Sequence, residues 1–186
     1  GKKWHPFTNS LNRVAVHDIV IHKESNELLL GTHGRSIYKT KLKIFTDYLN
    51  NKLPGNKINI VNIEDLTYRN SWGAKSNRNQ SVSLIYDKPQ LDPSSFIQVD
   101  LFSELSDNFE FKILNNDKKV LSNGEIKLDK GFNRLQILPV FKKSLNQKQR
   151  KKLGLTLKKA DDGNVYFNKG QYIFSINNTF KEFLVK

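Results

Sequence analysis

Apolar and polar residues alternate along much of the chain, a pattern typical of half-buried β-strands. In "FIQVDLF", Ile97, Val99 and Leu101 fall on one face of a strand, and Gln98 and Asp100 fall on the other. The same alternation recurs in "FEFKIL", "EIKLD" and "QYIFSI". Turn-forming stretches such as "SNG", "DKG" and "NKG" separate these segments. The pattern predicts an antiparallel β-sandwich over residues 96–186.

The beginning of the chain has a β pattern of its own. "VAVHDIVIH", "ELLLGTH" and "RSIYKTKL" predict three consecutive strands with hairpin links within residues 1–45. Residues 46–95 are more polar and contain Gly and Pro, so we expect a linker with docking segments, in which "INIVNI" is a candidate short strand. One helix is predicted near 145–153, with Ser144 as N-cap, Gln147 completing a capping box and Gly154 ending the helix. Its low apolar content places it on the surface. The fold class expected is therefore all-β with one short surface helix.

The formal net charge of +13 suggests an anionic partner. Most of the basic residues are lysines, whereas arginine is the residue that reads base edges and binds phosphate in a bidentate manner. We therefore expect no specific nucleic-acid binding, and weak attraction to anionic glycans or lipid surfaces is favoured over it. A basic run is the candidate for such contact, although a solvated surface is the favoured interpretation; it comprises Lys142, Lys143, Lys148, Arg150, Lys151 and Lys152.

Other aspects of composition narrow the possibilities further. The chain has no cysteine, which excludes disulfides and thiolate metal sites. No apolar stretch is long enough to predict a membrane span. The chain contains no methionine even at position 1, so we expect a segment of a longer or processed protein.

A motif in the first forty residues resembles a known family. It consists of Val16-His17-Asp18, an apolar strand ending at His22, Leu28–Leu30, Gly31-Thr32-His33-Gly34-Arg35 and Ile37-Tyr38. This pattern resembles the last blade of bacterial β-propellers of the sortilin-like, neuraminidase-repeat class. The aspartate-box turn of these repeats, Ser-x-Asp-x-Gly-x-Thr-Trp, is missing from the segment.

A second resemblance lies in the C-terminal half. The residues that carry it are Gly131, Asn133, Asp162-Gly163-Asn164, Tyr166, Gly170 and Tyr172. They resemble the Ig-like domain that follows such propellers, which is related to the module of flagellar hook-capping proteins, although Phe167-Asn168 replaces the usual Leu-Pro. In physical terms, Gly131 and Gly170 suit turns of positive φ and Asn133 suits a bond to turn backbone. Tyr172 can place its ring in the core and its hydroxyl at the rim.

The two resemblances together imply the C-terminal part of a secreted or cell-surface propeller protein, outer-membrane associated or periplasmic, typical of the Bacteroidota. Its parent would be glycosyl-hydrolase-like. Three strands of a blade leave one face and one edge bare, so the implied partners are the remaining propeller blades, the Ig-like domain, or another surface protein. We expect a non-catalytic module that packs on the propeller or mediates protein interaction. The alternative is a carbohydrate-binding accessory region of a glycoside hydrolase, with a glycan as its partner.

The histidine-rich motif also raises the question of chemistry. Asp18, His22 and His33 lie on strand positions that would allow them to meet on one face, as a metal site requires. The resemblance implies no metal and no cofactor, and we favour structural roles at turns and strand ends for these residues and for His17 and Arg35. No arginine cluster or carboxylate pair suggests catalysis in this chain.

Aromatic residues near the predicted linker have two interpretations. Tyr68, Trp72 and Tyr86 suit stacking on sugar rings or filling the seam between two domains, and the seam is favoured.

Overall fold

The computed structural model describes residue 4 and residues 14–34, 36–43, 45–46, 50, 57–73, 95–142, 147–153 and 159–186. Arg35, Tyr86, Lys143, Ser144 and Gly154, which the sequence interpretation singled out, lie outside these residues. The described strands are β1 Val16–His22, β2 Glu27–Thr32, β3 Ile37–Lys41, β4 Ile58–Ile63, β5 Ile97–Ser103, β6 Asp107–Leu114, β7 Val120–Leu128, β8 Gly131–Ile137, β9 Gly170–Ile176 and β10 Thr179–Val185. A short helix, α1, spans Gln147–Lys152.

The strands form three antiparallel sheets in the described part of the chain. Their orders are β1-β2-β3, β4-β5-β8 and β10-β9-β6-β7. The all-β class with one short helix is confirmed, and α1 lies within the range predicted for it. The segment "INIVNI" is indeed a strand, β4.

The chain forms two compact units, and the boundaries between them fall within strands. The first comprises Gly1–Asn62, Val99–Asn108 and Lys127–Arg134; the second comprises Ile63–Gln98, Phe109–Ile126 and Leu135–Lys186. In the first unit, Val61 and Phe102 form a small buried cluster against which Phe45 and Phe132 pack. The Phe102 and Phe132 rings meet edge to face with centroids 5.1 Å apart, an arrangement that aromatic quadrupoles favour.

The core of the second unit follows directly from the alternation in β9. Tyr172, Phe174 and Ile176 are all buried, as successive same-face residues of a half-buried strand should be. The Tyr172 ring stacks on Phe167, with centroids 4.7 Å apart and planes 10° apart. Phe174 stacks similarly on Phe111 of β6. Stacked aromatic side chains are therefore a substantial part of the core of this unit.

In β5 the simple alternation fails. Asp100 falls on the polar face by sequence, yet only 7% of it is exposed, and nearly every residue of the strand is buried. The strand lies between β4 and β8, and the carboxylate is neutralised by Arg134. A paired charge can occupy a buried position that an unpaired one cannot.

Residues just after β4 dock on the end of the chain within the second unit. Leu66 forms a parallel bridge with Val185 and exchanges backbone hydrogen bonds with Leu184 and Lys186. Asp65 Oδ1 accepts a hydrogen bond from the Leu184 amide, and Asp65 Oδ2 forms an ion pair with Lys186 Nζ at 2.7 Å. The hydrogen bond from Lys186 and that from the amide lower the pKa of Asp65. These contacts fix the position of the aromatic residues that follow.

Candidate functional site

The histidine-rich motif forms local contacts. The Asp18 carboxylate accepts a hydrogen bond from the next backbone amide, that of Ile19. His22 Nδ1 lies 2.8 Å from Ser25 Oγ, in the turn between β1 and β2. The His17 and His33 rings lie side by side with centroids 5.2 Å apart. Among the described residues, no group of three His, Asp or Glu side chains is placed to hold a metal ion, so Asp18, His22 and His33 do not converge.

The two glycines of this motif are Gly31, within β2, and Gly34, in the turn after it. A Cβ on Gly31 would lie 3.5 Å from the Asp18 Cβ, an ordinary van der Waals contact across the β1–β2 ladder. Gly34 has a φ of +71°, which glycine adopts without strain.

The residues of the C-terminal motif hold turns together. Asn133 Nδ2 donates to the Asp129 and Gly131 carbonyls, and its Oδ1 accepts from the Asp129 amide. Gly131, Gly163 and Gly170 all have positive φ. The Tyr172 hydroxyl donates to the Asn168 carbonyl at 2.8 Å. Burial raises the pKa of Tyr172 to about 12.

Four of the six residues of the basic run lie on the short helix α1. Lys148, Lys151 and Lys152 are exposed on α1 and Arg150 is half-buried. Lys142 lies before the helix, and its backbone amide donates to the Leu121 carbonyl. The lysines of the last turn interact favourably with the helix dipole, which accounts for their position in structural terms.

The first candidate site is an exposed apolar strand. We call it the β1 surface, and it consists of Val16–His22 together with the residues of β2 and β3 on the same face of the sheet. Every residue of β1 is exposed. Ile19 and Ile21 share one face, where they oppose Leu30 and Leu28, and are 64% and 57% exposed. Among the described residues β1 pairs with β2 alone, and none of them pairs with its outer edge.

A second candidate lies within the second unit, and we call it the aromatic cleft. It has a volume of about 450 Å³ and is lined by Tyr68, Arg69, Asn70, Trp72, Lys159, Ala160, Asp161, Tyr166, Phe167 and Asn168. The Trp72 ring stacks on Tyr166 at 5.6 Å and meets Tyr68 edge to face at 5.4 Å. Lys169 Nζ lies 5.9 Å from the centroid of the Tyr68 ring.

Hydrogen bonds fix one wall of the cleft. The Tyr166 hydroxyl donates to Asp162 Oδ2 at 2.8 Å, and Asn164 donates to both oxygens of the same carboxylate. Burial and the Asp162 hydrogen bond together raise the pKa of Tyr166 to about 12. For Asp162, burial raises the pKa, but the hydrogen bonds from Asn164 and Tyr166 outweigh it and the net shift is downward. The carboxylate therefore stays charged and orients the tyrosine.

Sequence reasoning found part of this cleft. From the sequence, Tyr68 and Trp72 are predicted only to lie near a linker, and Tyr166 is predicted only as part of the C-terminal motif. Their rings lie within one compact unit, and no sequence signal links residues so far apart in the chain. Asn168 and Lys169 belong to the stretch "NKG", which predicts a turn and no binding role, and no sequence pattern places Lys159 at the cleft.

No protein-family model, curated protein or solved structure matches the chain. The structure shows the fold class alone: an all-β protein whose described strands form three antiparallel sheets. No helix in the described ranges is both long and apolar enough to cross a membrane.

Proposed function

We propose that the chain is a non-catalytic docking module of a secreted or cell-surface protein, which binds other β-structure through the β1 surface. The partner proposed is the remainder of a β-propeller, as the motif between Val16 and Tyr38 implies. The observation that carries the proposal is the exposure of Ile19 and Ile21 on one face of an edge strand.

Exposed apolar edge strands are unusual in a protein that functions alone. A strand with a free edge presents unpaired backbone groups to any other strand, and natural proteins protect such edges with charges, prolines or bulges. The centre of β1 is the uncharged run Ile19–Ile21, and its register irregularity lies before that run, between Val16 and Asp18. Contiguous exposed apolar residues mark interaction surfaces.

The carboxyl groups with shifted pKa values are engaged in local contacts. The pKa values of Glu27, Asp65 and Asp162 are all lowered, whereas a general acid at neutral pH needs a raised one, so none of these three suits that role. For Glu27 the causes are a hydrogen bond from Ser25 in the turn before β2 and one from Lys39, which links β2 to β3. These groups stabilise turns and strand ends.

Paired lysine substitutions test the proposal. Ile19→Lys with Ile21→Lys should leave the unfolding free energy of the 186-residue chain within about 0.5 kcal/mol, because both side chains are already exposed. In the intact gene product the same change should lower the melting temperature of the propeller and expose the 186-residue region to proteolysis. Phe180→Lys is the matched control, since Phe180 is 65% exposed on β10 and lies outside the β1 surface. Equal effects of both changes on the gene product, or a gene product with no further β-domain, would overturn the proposal.

A further inference from the structure

We propose that the aromatic cleft is a binding site for an acidic saccharide, that is, pyranose units carrying carboxylate or sulfate groups. The proposal is independent of docking through the β1 surface. It rests on the cleft's size, its rings, its amides and its charge.

The cleft has the dimensions and rings of a ligand site. Its volume of about 450 Å³ lies within the range of small-molecule pockets, ~300–1,000 Å³. Trp72 is only 7% exposed, whereas Tyr68 and Tyr166 are half-buried. Trp72 is thus the packed ring to which two partly accessible rings are anchored. Because Asp162 holds the Tyr166 hydroxyl and Trp72 packs on both tyrosines, these rings are ordered before any ligand arrives.

The rim supplies groups that recognise hydroxyls. Asn70 is exposed and Asn168 is half-buried, and both line the cleft. A side-chain amide offers two donors and an acceptor, which matches the donor and acceptor character of a sugar hydroxyl. A ring that offers an apolar face beside amides suits a pyranose, which has an apolar C–H face and a polar periphery.

The charges select an acidic ligand. Lys159 and Lys169 are exposed at the cleft, and Arg69 adds a third cation, against the carboxylates of Asp161 and Asp162. Asp162 is hydrogen-bonded by three neutral donors, which stabilise its negative charge without cancelling it. Three cations against two carboxylates still leave one positive charge in excess, in a chain whose net charge is +13. Charged groups of a ligand are steered and held by such an excess.

A buried donor gives the proposal a spectroscopic probe. Trp72 Nε1 is buried, and none of the described residues accepts a hydrogen bond from it. Buried donors without acceptors are rare because each costs free energy. The resonance of this N–H therefore reports on the packing of the two tyrosine rings against Trp72, which a ligand on those rings would change. The chain has two tryptophans, so Trp4→Phe leaves Trp72 as the single indole.

The experiment is a titration of the Trp4→Phe protein with uronate oligosaccharides, sulfated oligosaccharides and neutral gluco-oligosaccharides. The readouts are the indole N–H resonance of Trp72 and calorimetry. We expect an acidic oligomer to shift the resonance saturably, and its affinity to fall between about 0.05 M and about 0.5 M NaCl. Whichever of the uronate and sulfated series binds more tightly identifies the anionic group.

Substitutions assign the binding to the cleft. Tyr68→Ala should weaken binding about tenfold, whereas Tyr68→Phe, which keeps the ring, should retain it. Lys159→Ala should weaken acidic oligomers selectively. Phe180→Ala and Lys119→Ala, an exposed ring and an exposed lysine outside the cleft, should change nothing. Absence of any saturable shift, or binding that survives both Tyr68→Ala and Lys159→Ala in folded protein, would overturn the site. Equal affinity for neutral oligomers would overturn its acidic selectivity.

Discussion

Arg134 binds Asp100 through two parallel hydrogen bonds, from Nε to Oδ1 at 2.7 Å and from Nη2 to Oδ2 at 3.0 Å. The carboxylate is buried in β5, whereas the arginine is one third exposed on β8. A bidentate pair of this kind fixes the relative orientation of the two side chains and also neutralises their charges. It explains how a strand predicted to have one polar face is buried on both.

Removal of the arginine should be costly because it leaves a buried carboxylate without its partner. We expect Arg134→Met to lower the unfolding free energy by about 2 kcal/mol, somewhat below the value for a fully buried pair because Arg134 is partly solvated. The double variant Asp100→Asn with Arg134→Met should be more stable than Arg134→Met alone, since no charge is then stranded. Urea unfolding at neutral pH measures both. A double variant no more stable than Arg134→Met would show that the arginine's removal strands no buried charge.

Gly73 should tolerate no side chain. Its φ is +70°, and a Cβ there would lie 2.6 Å from Asp162 Oδ1 and 2.7 Å from both the Ala160 Cβ and Tyr166 Cε2. We expect Gly73→Ala to cost about 3 kcal/mol, the sum of left-handed strain and overpacking. Gly163→Ala is the control: its φ of +81° carries the strain, but nothing lies within 4 Å of the new Cβ, so about 1 kcal/mol is expected. Thermal unfolding of the two variants checks the difference, and equal losses would contradict the crowding at the aromatic cleft.

Asn133 makes three hydrogen bonds to the backbone of the turn before β8 and is itself buried. Asn133→Ala should therefore cost about 2 kcal/mol, because the Asp129 amide and two carbonyls lose their partner. Asn123→Ala removes a single long contact to Glu110, at 3.4 Å on the surface, and should cost less than about 0.5 kcal/mol. Chemical denaturation of both variants is the measurement. A small loss at Asn133 would indicate that water replaces the side chain in the turn.

Stability should fall at alkaline pH. The pKa of Tyr172 is about 12 in the folded chain, against an ordinary value of 10.0, so the unfolded chain releases this proton first. The contribution is complete below about pH 10 and is lost as the pH rises toward 12, up to about 2 kcal/mol given that the hydroxyl lies at the edge of the core. Tyr172→Phe should flatten this part of the pH profile while losing about 1 kcal/mol at neutral pH with the Asn168 hydrogen bond. A profile as steep as that of the unmodified chain would contradict the assignment to Tyr172.

The sequence predicted the elements better than their assembly. Alternation located β9 and its buried face, turn chemistry separated the strands, and the capping pattern identified α1. These are local signals, which act through neighbouring residues. The burial of Asp100 depends on Arg134 from another strand, and alternation contains no information on such a partner.

The aromatic cleft lay beyond sequence reasoning for the same reason. Residues after β4 pair with the end of the chain through Leu66 and Val185, and the Asp162 amide donates to the Gly73 carbonyl, next to Trp72 in the chain. These contacts between distant segments bring Trp72 and Tyr166 together. The sequence predicts a linker over residues 46–95, and the described residues 63–73 of that range lie in the second unit.

The docking role of the β1 surface is tested most directly by hydrogen–deuterium exchange of the β1 amides in two samples, the 186-residue chain and the intact gene product. In the chain alone, the amides of Val16–His22 that do not pair with β2 should exchange nearly as fast as unstructured peptide. In the gene product we expect them to exchange at least about 100-fold more slowly, since a partner strand or face then excludes water. Equal rates in the two samples would show that nothing covers β1, and would contradict the account.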